Sequence, residues 1–143
     1  MSKSIVGNYS GQVQFAEGYR TDGKFYEITE GLESNLEGVT SCTNLTLKIQ
    51  EQKCSLIWGV YEYYNPIEKE MDIDNFSGVR IGENVWQLID SGSGDEIITL
   101  TFHDNHKKAS FSLVAGADSA HVLKEGFFEM MDGVLKRTSK RCC

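Results

Sequence analysis

The chain opens with a strict alternation of apolar and polar residues, and few folds can accommodate this pattern. Polar side chains separate a set of apolar or small residues, which are Ile5, Gly7, Tyr9, Gly11, Val13 and Phe15. A period of two is typical of a β-strand with one buried face. Glycines on the buried face predict that another backbone passes close to this strand.

Similar segments follow along the chain, separated by short turns and without a competing helical period. We expect a surface loop over the acidic stretch 29–42, with a helical turn near 32–36, and an acidic connection over 67–74. The pattern predicts an all-β fold, an antiparallel meander of about eight or nine strands that closes into a small barrel, because closure removes exposed sheet edges. The predicted strands cover residues 5–15, 24–28, 44–50, 54–64, 76–81, 84–90, 96–103, 108–115 and 120–130.

The length of 143 residues is that of one domain, and a single proline and scattered glycines give no sign of an internal linker. We predict a barrel domain over residues 1–134 and a basic C-terminal tail over residues 135–143. The tail ends in Cys142 and Cys143.

The net charge of −7 argues against nucleic acid as a partner, since a phosphate backbone is bound by basic surfaces. The first residues lead directly into the strand pattern, with no apolar run of signal-peptide length and no segment long enough to span a membrane. The sequence therefore predicts a cytoplasmic protein.

The four cysteines do not have the spacing of a zinc site, and free thiols are the simplest interpretation. A bridge between Cys42 and Cys54 is open if their strands pair, although a reducing compartment disfavours it. The terminal Cys142-Cys143 pair resembles the ending of small GTPases that are doubly geranylgeranylated. That modification is directed by the GTPase fold, which this chain lacks, so membrane attachment is expected only if the tail is lipidated.

Two sets of residues resemble a known group of barrels. Gly7-Asn8-Tyr9 is similar to the Gly-x-aromatic element of the calycin-like barrels, which are lipocalins, fatty-acid-binding proteins and avidins, with Tyr in place of the usual Trp. The segments 76–79, 85–88 and 115–119 resemble small β-barrel proteins of similar size, over roughly the last half of the chain. The resemblance implies the fold and no activity. The sequence does not identify the disulfides of lipocalins, the arginine that closes their barrel base, or the biotin contacts of avidins.

Aromatic residues on the faces that we expect to point inward form the candidate ligand site. An eight-stranded barrel is either filled by its own side chains or holds one small ligand, and the same aromatic residues serve both outcomes. The predicted ligand-binding residues are Tyr9, Phe15, Trp58, Trp86, Phe102 and Phe111.

Metal and cofactor chemistry finds little support in the sequence. His103 and His106 flank a turn, and His121 on a neighbouring strand would be a third ligand, but a turn of Asp and Asn between histidines is ordinary hairpin chemistry. No nucleophile motif, phosphate loop or cofactor fingerprint is present, and we predict no cofactor and no metal.

Catalysis would require an acid or base inside an apolar cavity. The candidates are Glu62, Asp90, His121 and Glu125, each within or beside an apolar strand. Such a group would serve an isomerase or a cyclase of an apolar substrate, whereas side chains that face solvent would serve no such reaction.

The segment 54–64 is apolar on both faces, and something should therefore cover its outer side. We expect Trp58 to face inward, and Ile57, Tyr61 and Tyr63 to face outward as a contact between copies of the chain. The leading hypothesis is a non-enzymatic binding barrel for a small hydrophobic ligand. The alternatives are a filled barrel that acts as an oligomerisation or protein-interaction module, and an isomerase or cyclase.

Overall fold

A computed structural model describes residues 4–21, 24–29, 32–35, 41–66, 69–91, 96–115 and 127–139. All regular structure in these ranges is β-strand, and no helix within them is long and apolar enough to cross a membrane. The strands are β1 Gly7–Thr21, β2 Lys24–Thr29, β3 Leu32–Asn35, β4 Ser41–Lys53, β5 Leu56–Asn65, β6 Glu70–Arg80, β7 Val85–Asp90, β8 Glu96–His103, β9 Lys108–Ala115 and β10 Phe127–Ser139.

The strands form one antiparallel sheet that closes on itself. Its order is β10-β9-β8-β7-β6-β5-β4-β1-β2-β3, and β1 also pairs with β10. This last pairing joins Asn8 to Ser139 at one end and Tyr19 to Phe127 at the other. The barrel wall therefore consists of β1 and β4 to β10, while β2 and β3 continue the sheet from the C-terminal end of β1. The predicted all-β antiparallel meander and its closure into a small barrel are confirmed.

Two expectations about connections are wrong. Residues 32–35 form β3 instead of a helical turn, because β3 pairs with β2 as a hairpin. The connection predicted at 67–74 is largely strand, since β6 begins at Glu70 and pairs with β5 from Asn65 onward. Charged residues at strand positions concealed the start of β6, because strands with one face in a core usually alternate apolar and polar residues.

The inward face of β1 contains the residues that its alternation predicts. Tyr9, Val13 and Phe15 are buried, and Gly11 lies where the barrel closes. A Cβ atom on Gly11 would collide with the carbonyl oxygen of Val134 on β10. The glycine is therefore required by the close approach of the closing strand.

The two faces of β5 are the reverse of our prediction. Ile57, Tyr61 and Tyr63 are buried inside the barrel, whereas Trp58 lies on the outer surface with 37% of its area exposed. Gly59 shares the inner face, where a Cβ would collide with the backbone of Lys48, and this small residue weakens the apolar signal of that face. The predicted oligomer contact through Ile57, Tyr61 and Tyr63 is consequently inaccessible.

The end of the barrel where β1 begins and β10 ends is called the base below. At the base, the guanidinium carbon of Arg137 lies 5.5 Å from the centre of the Tyr9 ring, and its Nη2 donates a hydrogen bond to the carbonyl of Val6 at 2.5 Å. The Tyr9 hydroxyl donates to the carbonyl of Ile5 at 2.8 Å. Arg137 and Tyr9 thus close the base of the barrel.

Strand β10 extends to Ser139, so the first part of the segment 135–143 belongs to the barrel wall. Cys142 and Cys143 lie outside the described residues. Cys42 and Cys54 are exposed and free, at opposite ends of β4. Strand geometry of about 3.3 Å per residue separates them by roughly 40 Å, which excludes a bridge between them within one chain.

Candidate functional site

The inner wall of the barrel is apolar and tightly packed toward the base. Tyr9 is 0% exposed, and its ring meets that of Phe102 edge to face, with the two centroids 5.6 Å apart. Leu100 and Phe111 are equally inaccessible to solvent. Burial raises the pKa of Tyr9 to about 12, and the charge of Arg137 opposes that rise. This half of the lumen is a core.

The opposite end, called the mouth below, has acidic side chains on the same inner wall. They continue the inward positions of their strands: Asp72 and Asp74 precede the buried Phe76 on β6 by even steps, and Asp90 follows Leu88 on β7. In the same way, Glu96 on β8 and Glu129 on β10 each lie two residues before a buried residue of the same strand. The inward carboxylates are Asp72, Asp74, Asp90, Glu96 and Glu129, and Asp90 is the most deeply buried at 5% exposed.

Two tyrosines of β5 stand between these carboxylates and the packed half. The rings of Tyr61 and Tyr63 are stacked at an interplanar angle of 6°, with centroids 6.3 Å apart. The hydroxyl of Tyr61 donates to Glu96, and that of Tyr63 donates to Glu129 at 3.5 Å. Burial raises the pKa of Tyr61 and of Tyr63 far above the ordinary tyrosine value, and the nearby carboxylates raise it further. Both phenols therefore stay neutral and donate to the carboxylates.

Three of the carboxylates converge. Oxygens of Asp74, Asp90 and Glu96 lie within 4.8 Å of one another. Hard cations such as Ca²⁺ and Mg²⁺ prefer oxygen ligands, and an ammonium group is also attracted by such a set. The described basic residues at inward strand positions, Arg80 and Arg137, lie at the far end of the barrel. The mouth is thus a region of negative potential.

The structure brings together most of the predicted ligand-binding residues. Tyr9, Phe15, Trp86, Phe102 and Phe111 are buried inside the barrel, and Trp58 is excluded because it lies on the outer surface. Phe15 reaches the mouth, where its ring centroid is 6.1 Å from that of Tyr63. Phe111 lies 6.4 Å from Tyr61 by the same measure. The aromatic wall therefore runs from the sealed base up to the acidic mouth.

Sequence reasoning missed four of the five carboxylates and both tyrosines as parts of this site. Acidic residues in a β-protein usually face solvent, so Asp72, Asp74, Glu96 and Glu129 were not considered as inward groups. Their parity with buried neighbours on the same strand is the signal that finds them.

The two histidines of the turn, considered above as metal ligands, belong to no described cluster of metal-ligating side chains. His103 is exposed, with its Nε2 2.8 Å from the hydroxyl of Ser110, while the ring of His106 packs edge to face on Phe102 at 5.4 Å. His121 lies outside the described residues. The two described histidines thus fill ordinary hairpin positions.

Among the proposed acids and bases, Asp90 alone is shown to face the lumen. Glu62 points outward and forms an ion pair with Lys48 at 3.3 Å. His121 and Glu125 lie outside the described residues.

Comparison with known proteins gives a limited result. No family model matches the chain, and no curated protein matches it. Among solved structures, the chain is similar to the siderocalin Ex-FABP, which is reported to function through dual ligand specificities. The match has 11% sequence identity and a TM-score of 0.45, and it covers 96% of this chain and 76% of that one. The description of the barrel accordingly rests on the strand pairing of this chain itself.

Proposed function

We propose that this protein is a binding barrel that takes a small, largely apolar molecule into its lumen through the acidic mouth. The observation that carries the proposal is the change along the inner wall, from fully buried aromatic residues at the base to partly exposed carboxylates at the mouth. A barrel of this strand number has room for either a filled core or one small ligand, and the inward positions of the mouth half are shared between buried aromatic rings and carboxylates.

The carboxylates are costly where they stand, and this cost supports a functional role. Charged groups that face the inside of a barrel lose hydration, and they also repel one another when their oxygens lie as close as those of Asp74, Asp90 and Glu96. Core positions at the base of the same strands are occupied by residues such as Phe76, Leu88 and Leu100. Violations of a local rule within an otherwise consistent fold concentrate at functional sites.

The chemistry of the mouth indicates which polar group the ligand carries. Carboxylates accept hydrogen bonds, and the tyrosine hydroxyls are already directed at Glu96 and Glu129. A protonated amine combines hydrogen-bond donors with a positive charge, which is the complement of a cluster of carboxylates. The apolar part of the same molecule would then lie against Phe15, Tyr61 and Phe111. We therefore expect an apolar amine to be preferred over an alcohol or an acid of the same shape.

Calorimetric titration tests this preference with three matched probes, 2-phenylethylamine, 2-phenylethanol and 3-phenylpropionate. We expect the amine to bind most tightly and the carboxylate most weakly, with at least a tenfold difference, which corresponds to about 1.4 kcal/mol. The double variant Asp90→Asn, Glu96→Gln should lose the preference for the amine. Glu62→Gln is the matched control, because it removes an outward carboxylate. Absence of binding by all three probes, or an equal effect of the control, would refute the proposal.

One observation favours a second function, the isomerase or cyclase of an apolar substrate. Asp90 is a buried carboxylate on the lumen wall, which is the minimum that such a reaction needs. Proton exchange at carbon in a bound apolar ketone, followed by NMR in D₂O, distinguishes the two functions. Exchange that requires Asp90 would favour the enzyme, and binding without exchange would favour the carrier.

A further inference from the structure

The outer surface of the barrel contains a broad area without charge. This neutral face consists of the outward positions of residues 56–60, 75–79, 87–89, 97–101 and 110–114, on five adjacent strands from β5 to β9. Charged outward residues border it, for example Glu62 on β5 and Asp132 on β10. In a chain that is 24% charged with a net charge of −7, such segregation calls for an explanation.

Large apolar side chains run across this face in one register row. Trp58 is paired with Ser77, Ser77 with Ile89, Ile89 with Ile97, and Ile97 with Val114. All four apolar members of the row are exposed. Isolated exposed apolar residues are ordinary, but a contiguous exposed row is typical of an interaction surface.

The face has both a groove and a ridge. The small residues Ser77 and Gly78 lie between Trp58 and Ile89, and the depression over them has a volume of about 380 Å³. Ile97 and Val114 follow on the next two strands and have no such depression between them in the described cavities. A two-fold axis placed between the groove and the ridge seats the ridge of each copy in the groove of the other, as an isologous interface requires.

We propose that the neutral face binds a second copy of this chain, giving a two-fold symmetric dimer. Two copies with a net charge of −7 repel each other, and the repulsion is least where neither surface has a charge. Five strands about 4.8 Å apart, each with about three outward residues at roughly 6.7 Å intervals, give a face of about 500 Å². Because five of the eight wall strands curve round more than half of the barrel, a second copy buries less than the roughly 1,000 Å² of two such faces, which suits a weak dimer and falls short of a permanent one.

Sedimentation velocity over a concentration series, from about 1 μM to 1 mM, tests the dimer with the full-length chain. We expect wild type to pass from monomer to dimer within this range and to form nothing larger, because an isologous contact closes at two. Trp58→Lys and Ile89→Lys, each alone, should raise the dissociation constant at least tenfold, since each would bury an ammonium group without a counter-charge in an apolar contact. Both side chains are outward, so the barrel should remain folded, and circular dichroism verifies this.

Ile73→Lys is the matched control. Ile73 is 64% exposed on β6 but lies opposite Glu62, outside the neutral face, so its replacement should leave the dissociation constant unchanged. Salt gives a measurement that needs no variant, since screening of the net charge should tighten the wild-type dimer as NaCl is raised. A wild-type monomer at every concentration, open-ended assembly, weakening by salt, or an equal effect of Ile73→Lys would overturn the proposal.

Discussion

The base and the mouth of the barrel are built from the same strands, but the base is apolar and packed whereas the mouth carries charged groups. At the base, Tyr9 packs against Phe102 and Arg137. The Tyr9 hydroxyl and Nη2 of Arg137 donate to the backbone carbonyls of Ile5 and Val6. At the mouth, Tyr61 and Tyr63 face carboxylates that remain partly exposed. The difference teaches that one continuous β-wall can be closed by buried contacts at one end and present charged groups at the other. In the function that we propose, stability and ligand binding are separated along the barrel axis.

The largest effect should come from truncating the same residue type at each end. Tyr9→Ala should lower the free energy of unfolding by about 3–5 kcal/mol, because the packed base leaves a cavity that cannot collapse. Tyr63→Ala should cost about half as much, because the Tyr63 hydroxyl contacts the partly exposed Glu129 and truncation would open the space to water. Urea denaturation measures both. Equal losses would mean that the mouth is packed as tightly as the base.

Alkaline pH should distinguish the tyrosine of the base from those of the mouth by a smaller change in the free energy of unfolding. A tyrosine whose pKa is raised in the native state stabilises the fold fully below pH 10, and this stabilisation is lost as the pH rises above the pKa of the unfolded chain, by about 1.4 kcal/mol per pH unit for each such group. Tyr9, with a native pKa of about 12, contributes to the slope only up to that pH. Tyr61 and Tyr63 contribute beyond it.

Tyr63→Phe should therefore make the free energy of unfolding fall less steeply between pH 10 and pH 12, by about 1.4 kcal/mol per pH unit, the contribution of one titrating group. Urea denaturation at each pH measures this. Tyr64→Phe is the control, since Tyr64 is exposed on the outer face of the same strand. An unchanged slope in Tyr63→Phe would show that this phenol ionises freely in the native barrel.

The smallest expected effect is a gain in stability, whereas the substitutions of Tyr9 and Tyr63 by Ala lower it. Asp90→Asn keeps the shape of the side chain and removes one of three charges whose oxygens lie within 4.8 Å of one another. We expect the free energy of unfolding to rise by about 0.5–1 kcal/mol at low salt and the gain to shrink as NaCl is added. Thermal unfolding at two salt concentrations measures this. A loss of more than about 2 kcal/mol would make Asp90 a structural residue of the mouth instead.

The alternation of apolar residues was sufficient to predict the fold. Residues 5–15 read as a half-buried strand, and β1 buries Tyr9, Val13 and Phe15 as that reading requires. Closure was also predictable, since Gly11 signalled the backbone of β10 beside it. Long-range pairing follows from such local signals when each strand has one distinctive face.

The candidate site was predictable only in part. Strand β5 is apolar on both faces, so periodicity could not decide whether Trp58 or Ile57 faces inward. Gly59 has no side chain, so it did not mark its face as the buried one. The mouth carboxylates were missed for the converse reason. Asp72 and Asp74 reverse the usual relation between charge and exposure, and pattern reasoning depends on that relation.

The pairing of β1 with β10 joins residues that are almost the whole chain apart, as Arg137 and Val6 are separated by 131 positions. During synthesis, most of the wall must therefore remain an open sheet until β10 leaves the ribosome. Two unpaired edges are available to other nascent chains throughout that interval. Folding of this barrel should be slow, and the chain should be most vulnerable to aggregation before β10 is available for pairing.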